Sequence, residues 1–441
     1  MEKFNQLRAK YKEFIYDSFN VEELEESIKI TYKYIMGEHT FIHNIEFEKR
    51  DFFKYDNLQY KEAFVFNLGI VGIVNYYKLA CPKKIIIKAG KIDDYQKAWW
   101  KKLFYKGLGE FRYINGIDIS MEEFVEFESQ SDRIFEPVNL NTEGNIVPIG
   151  GGKDSIVTIE RVKEDKNVPL ILNPRGATID TAKIAGYELD DCIIVKRIFD
   201  KQMIQMNSEG YLNGHVPFSA VLAFISMFAA LISNKKYIIL SNEASANEST
   251  VKNQDINHQY SKTFEMEKDL DEYFTNYLTP DIKYFSLLRS ISELQIAKEF
   301  AEHKQYHKIF RSCNVGSRNG KNEWCLKCSK CLFVYIILAA FMEREEIIDI
   351  FGKELLDDKE LLKYFEELCG ASENKPFECV GTRDEVNIAL SILLKKYNEL
   401  PCLLQYYKDN LGYLIKSDEE IEEALNYYNE ENLIPEKFEK K

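Results

Sequence analysis

Residues 146–163 read IVPIGGGKDSIVTIERVK: a short apolar run, three consecutive glycines, Lys153-Asp154-Ser155, and then apolar residues at helical spacing. A strand that passes through glycines into a helix N-terminus is a phosphate-binding arrangement. Gly150, Gly151 and Gly152 let backbone N–H groups approach an oxyanion with no Cβ in the way. The helix adds its unpaired N–H groups and the positive end of its dipole. Ser155 offers a hydroxyl donor, Lys153 a cation, and Asp154 either a magnesium contact or an acceptor that fixes the loop. Pro148 cannot donate to a ladder, so the strand reading holds only if the strand ends there. Two better-known loops are excluded. A Walker A needs glycine where Val147 stands and Ser or Thr where Asp154 stands, and the G-x-G-x-x-G spacing fails at Lys153 and Ser155.

Around this loop, residues 168–172, 192–195 and 237–240 read as further buried strands, alternating with helical patterns at 155–163 and 178–186. Such alternation indicates βαβ units and a parallel sheet. The expected fold class is therefore α/β, with this core at residues 139–342. Residues 1–138 read as an α+β domain. A hairpin is expected from residues 28–36 and 40–47 about Gly37, preceded by an amphipathic acidic segment at 21–26. A helix with small residues at Gly69 and Gly72 follows, then a short strand at 84–88 and an aromatic run from Trp99 to Phe111 broken at Gly107-Leu108-Gly109-Glu110. That run is read as either a sugar-nucleotide contact or interdomain packing. Residues 343–441 read as helical and acidic, interrupted at 377–384.

The chain has 441 residues and a formal charge of −14, which argues against a nucleic-acid-coating surface but leaves room for a local pocket for a small anion. Residues 216–233 are long and apolar enough to raise a membrane span, but Pro217, three serines and the absence of a basic flank favour a buried core helix. No signal-peptide pattern opens the sequence, and a cytoplasmic location is expected. Nine cysteines argue against a disulfide framework. Four of them, Cys313, Cys325, Cys328 and Cys331, have spacings suited to a tetrahedral metal. Structural zinc is the favoured reading, with an iron–sulfur cluster or free thiols as alternatives.

The glycine loop resembles the SGGxDS signature of the PP-loop ATP pyrophosphatase superfamily, with Gly150 in place of the leading serine. That resemblance implies ATP and Mg2+ as cosubstrate and cofactor, cleavage of ATP to AMP and pyrophosphate, and an adenylated intermediate. Over most of its length the chain resembles the family of ATP-dependent epimerases that invert the terminal glutamate of UDP-N-acetylmuramoyl-L-alanyl-L-glutamate in an alternative route to peptidoglycan. The resemblance rests on Trp99-Trp100, Gly107–Phe111 (GLGEF), 115–117 (NGI), 148–155 (PIGGGKDS), 214–219 (GHVPFS), 241–247 (SNEASAN), 257–262 (NHQYSK), the cysteine cluster and 377–382 (FECVGT). It implies the UDP-muramoyl dipeptide as substrate and no nucleic-acid partner. Other readings are a different PP-loop adenylating enzyme, such as a deazapurine nitrile synthase or an amide- or thio-transfer enzyme, and a non-catalytic nucleotide-binding module.

Inversion needs a base, an acid on the opposite face and donors for the enolate oxygen, and adenylation makes it feasible by neutralising the carboxylate beside the carbanion. Candidates are His258, in a polar run without apolar period, and Glu243, just past a strand at the ligand-binding edge of an open sheet. His215 and Cys379 are further candidates, each with a structural reading beside the catalytic one, and Lys153 joins the catalytic set. Arg175, at the end of the second strand, can meet a phosphate or a carboxylate. His39, His43, His303 and His307 carry no functional reading.

Overall fold

The computed structural model describes residues 1–252, 254–313 and 323–439. Its strands are β1 (Glu13–Glu23), β2 (Ser27–Met36), β3 (His39–Glu48), β4 (Lys84–Ile87), β5 (Glu126–Ser129), β6 (Asn145–Pro148), β7 (Asn167–Leu172), β8 (Ile193–Ile198), β9 (Tyr237–Leu240) and β10 (Lys283–Ser286). All ten join one sheet in the order β10-β9-β6-β7-β8-β3-β2-β1-β4-β5. The five strands from β10 to β8 are mutually parallel, as the strand–helix alternation implies. The sheet as a whole is mixed, because β3 pairs antiparallel to β8 and continues into the β1–β2–β3 meander. β4 and β5 then extend the sheet parallel to β1, so the antiparallel meander joins two parallel sets in one continuous sheet, a pairing between distant strands that local sequence pattern does not encode. β6 ends at Pro148, where the missing N–H costs nothing. Residues 21–23 of the expected acidic segment lie in β1, whose outer half is largely exposed and therefore lacks an apolar alternation.

The hairpin forms where expected, with Gly37 at φ +58 in its turn. β2 buries every second residue, so Ile28, Ile30, Tyr32, Tyr34 and Met36 face inward. They meet helix Lys61–Tyr77, whose residues 63–77 are all buried. Tyr32 and Tyr34 donate to the carbonyls of Val65 and Gly69 at 3.0 and 2.7 Å. This approach needs glycine: a Cβ on Gly69 would lie 2.1 Å from the Tyr16 hydroxyl oxygen, and one on Gly72 would lie 2.7 Å from that of Tyr34.

Helix Phe218–Ser233 covers the other side of that helix, and residues 223–233 are all buried. Among the described residues no helix is long and apolar enough to cross a membrane. Trp99 and Trp100 pack against Phe224 and Tyr273. Their indole N–H groups donate to the Asp269 carbonyl at 3.1 Å and the Tyr273 hydroxyl at 3.0 Å, so the pair is a packing element. The C-terminal helices form a second core around helix Ser329–Ala339, which is buried throughout.

Alanine in a helix interior ordinarily stabilises relative to glycine by about 1 kcal/mol. Gly69→Ala is expected to do the opposite and lower stability by about 1–3 kcal/mol through overpacking against Tyr16 and Tyr32. Urea denaturation measures this, and a raised midpoint would contradict the close approach.

Candidate active site

In an open parallel sheet the carboxyl ends of the strands carry the ligand-binding loops. Here β6 leads into Gly150–Ser155, β7 into Arg175, β9 into Glu243 and β10 into Glu293. Gly151 takes φ +80, and a Cβ there would lie 2.9 Å from Ala177 and 3.1 Å from the Thr178 nitrogen. The loop therefore sits on the N-terminus of helix Gly176–Ile184 while opening helix Lys153–Arg161, so two helix N-termini converge on it. Gly150 is exposed, with nothing within 4 Å of the position a Cβ would take. Arg175 caps the second of these helices and is exposed at the edge of the loop.

Lys153 turns inward and is buried between the carboxylates of Asp154 and Glu293. Burial opposes its charge, but the two carboxylates prevail and hold its pKa above the ordinary lysine range. Burial pushes Glu293 up to about 8 against the pull of Lys153. The backbone N–H of Glu293 donates to Glu385 at 2.8 Å and to the Ser245 hydroxyl at 3.2 Å. Ser245 in turn donates to Glu385 at 2.6 Å, which ties helix Arg383–Lys396 of the C-terminal region to the sheet edge.

Glu243 is almost fully buried, and its Oε2 has no hydrogen-bond partner among the described residues. Its backbone carbonyl accepts from Arg289 at 2.6 Å. The same guanidinium donates to the Lys262 carbonyl at 2.6 Å and pairs with Glu267 at 2.7 Å. Lys262 lies within electrostatic reach of Cys379, Glu243, Asp154 and Glu293, which together outweigh its burial and hold it charged.

The expected candidates His258 and His215 come together at Glu110, with Cys379 near His258. His258 Nδ1 is hydrogen-bonded to Glu110, at the start of helix Gly109–Ile114. His215 Nδ1 lies 3.9 Å from the same carboxylate, and the two imidazole centroids are 4.2 Å apart. The segments of His258 and Cys379 lie side by side, since Gln259 donates to the Val380 carbonyl at 3.1 Å, and the imidazole and the thiol act on each other electrostatically. Burial pushes His258 down, but Cys379 and Glu110 prevail and lift it to about 9. Burial pushes the Cys379 thiol up, but Lys262, His258 and Lys330 prevail and bring it down to about 7. Between those values the pair is a thiolate beside an imidazolium. The segment carrying Cys379 is held by backbone contacts: Lys330 donates to the Cys379 carbonyl, Gln259 to that of Val380 at 3.1 Å, and Lys375 to that of Gly381 at 2.7 Å.

The four cysteines also converge. The Cys325, Cys328 and Cys331 sulfurs lie 3.3–3.6 Å apart, and all four ligand atoms lie within 4.8 Å of one another. Leu326 at φ +60 makes the turn that folds the knuckle back. Thiolates around a tetrahedral ion stand about 3.8 Å apart, so these residues can hold one metal. The same segments touch the site on two sides. The Arg311 N–H donates to the Gly151 carbonyl at 2.7 Å, and Lys330 lies between Cys328 and Cys331.

Glu110, Lys262 and Glu293 were not singled out in the sequence. Glu110 and Lys262 stand inside the polar strings GLGEF and NHQYSK, which was the available signal. Glu293 reads locally as an ordinary acidic first-turn residue, and only the fold brings it to Lys153.

The profile of the MurL N-terminal domain matches residues 5–287, and that of the MurL C-terminal domain matches residues 309–411. The chain belongs to the MurL family. Three relatives bear the name UDP-N-acetyl-alpha-D-muramoyl-L-alanyl-L-glutamate epimerase. The Xanthomonas oryzae pv. oryzae protein is 31% identical over 379 residues, 83% of each chain. The Micromonospora protein is 33% identical over 338 residues, 75% of this chain and 74% of its own. The Salinispora tropica protein is 34% identical over 334 residues, 74% of this chain and 72% of its own. No solved structure matches the chain.

The Glu110–His258–Cys379 connection is expected to show in thiol reactivity. Alkylation of Cys379 by iodoacetamide, followed by peptide mass analysis, should rise with a midpoint near pH 7 and move toward the ordinary thiol range near 8.5 in Glu110→Gln. An unchanged midpoint in that variant would show that the carboxylate does not act through His258.

Proposed function

We propose that this chain is an epimerase that inverts the terminal glutamate of UDP-N-acetylmuramoyl-L-alanyl-L-glutamate, the substrate in its relatives' name, within peptidoglycan precursor synthesis. ATP first activates the glutamate carboxylate as an acyl adenylate, releasing pyrophosphate. The single observation that carries this reading is the meeting of an open glycine loop with a thiol–imidazole–carboxylate set across one shared cation, Lys262.

The central parallel strands form a PP-loop core in this reading. Gly150, Gly151, Gly152 and Ser155 cradle the phosphates, Arg175 reaches them from the next helix cap, and Asp154 meets Mg2+. Lys153 supports the loop from beneath through Asp154 and Glu293. The cysteine cluster holds a structural zinc that fixes the Arg311 and Lys330 segments against the loop and Cys379.

The chemistry requires activation. Removing the α-proton of a glutamate carboxylate places a carbanion beside a negative charge, whereas an acyl adenylate delocalises it into a carbonyl. Glu243, buried with one oxygen unpartnered, is the base in this reading, and His258, as an imidazolium, is the acid. Lys262 supplies the cation for the enolate oxygen.

With ATP, Mg2+ and the UDP-muramoyl dipeptide, the purified chain is expected to release pyrophosphate and form D-glutamate, scored by chiral analysis after hydrolysis. Gly151→Val, which places a branched side chain at φ +80 against Ala177, is expected to lose both by at least about 100-fold. Formation of D-glutamate without ATP would overturn the adenylate route, and formation of neither product would overturn the epimerase reading.

A further inference from the structure

The thiol–imidazole–carboxylate arrangement goes beyond what inversion needs. A base and an acid at the α-carbon suffice for that, and Glu243 and His258 supply them. The structure provides in addition a thiol whose imidazole partner is itself held by a buried carboxylate, Glu110. A nucleophile, a base within hydrogen-bond reach and a third group orienting that base is the signature of covalent acyl transfer. The position agrees. Lys262 lies within electrostatic reach of both Cys379 and Asp154 of the glycine loop, and Lys330 likewise acts on both. Lys330 also donates to the Cys379 carbonyl, so the glycine loop and the thiol are served by the same cations.

We propose that Cys379 accepts the activated glutamyl group, so that inversion occurs on a thioester. This step rests on the adenylate reading of the preceding section. The Cys379 sulfur attacks the carbonyl carbon of the adenylate, the carbon–oxygen bond to the phosphate breaks, and AMP leaves with the electron pair. Glu243 takes the α-proton, and the electrons pass into the thioester carbonyl. The His258 imidazolium returns a proton to the opposite face and becomes neutral. Neutral His258 then takes a proton from water as the water oxygen attacks the thioester carbonyl, the carbon–sulfur bond breaks, and the thiolate and imidazolium are restored. Glu243 and the new carboxylic acid each lose one proton to solvent. The overall change is hydrolysis of one adenylate with one centre inverted.

A thioester has two advantages for this reaction. Sulfur donates weakly to the carbonyl, so the α-proton stays acidic after AMP has gone. The acyl group also remains tethered while its proton leaves and returns, which prevents loss of an activated intermediate to solvent. Glu110 is a positioning residue here: it acts on the substrate only through His258.

Intact-protein mass spectrometry after acid quench tests the proposal. Wild-type protein mixed with ATP, Mg2+ and the UDP-muramoyl dipeptide is expected to gain the substrate mass less one water, localised to Cys379 by peptide mapping. Cys379→Ser is expected to accumulate the corresponding oxyester, which hydrolyses more slowly. Cys379→Ala is expected to carry no adduct and to lose D-glutamate formation by at least 100-fold, yet to retain substrate-dependent exchange of labelled pyrophosphate into ATP. That retained exchange also shows that the variant is folded. Absence of any adduct in both wild type and Cys379→Ser, while exchange persists, would overturn the thioester and leave adenylation standing. Loss of exchange in every protein, wild type included, would instead overturn the adenylate reading beneath it.

Discussion

The buried guanidinium of Arg289 is the contact on which the site depends. It is fully enclosed, pairs with Glu267 at 2.7 Å and donates to the carbonyls of Glu243 and Lys262 at 2.6 Å each. Glu267 is itself held by the Ser286 N–H of β10 at 3.1 Å. Taking a charge out of water costs several kcal/mol unless its partners are complete, and removing one partner of a buried pair typically costs about 3–5 kcal/mol. The arrangement therefore admits one position for the loop after β9 and for the turn at Tyr260–Lys262. Glu243 and Lys262 are fixed relative to each other through their backbones.

Around that anchor the charges alternate. Lys153, Lys262 and Lys330 stand among Asp154, Glu243, Glu293 and Cys379, so each buried charge has an opposite neighbour. The lysines stand beside the glycine-loop amides and two helix N-termini, so cationic and donor groups gather at one place in a chain of net charge −14. The members come from three separate stretches: Glu110 from a helix between β4 and β5, Asp154 and Glu243 from loops after β6 and β9, and Cys379 from the segment before helix Arg383–Lys396.

Much of this was legible in the sequence where local chemistry dictates it. The glycine loop, the strands at β6, β7 and β9, the Gly37 hairpin and the cysteine knuckle each have a short-range cause, and each is found in place. Gly69 and Gly72 could be seen as small residues, but the tyrosines that require them lie on strands more than thirty residues away. The ten-stranded ladder was not legible, because the β3–β8 pairing joins segments separated by about 150 residues and leaves no periodic trace in either. His258 stood out as a polar residue in a segment without apolar period, and Cys379 as a thiol in the string FECVGT. Their common partner Glu110 did not, since an acidic residue at the start of a short helix reads as a dipole contact.

The proposed reaction links these pieces in one direction. In it, activation at the loop makes the α-proton acidic, Glu243 and His258 move it, and Lys262 bears the charge that develops in between. The most direct measurement is the reaction run in D2O, with the α-position of the product examined by NMR. An α-proton taken by one group and returned by another that exchanges with solvent gives D-glutamate carrying deuterium at that carbon, and only when ATP is present. Retention of the substrate's own proton in the product, or exchange at an equal rate without ATP, would contradict it.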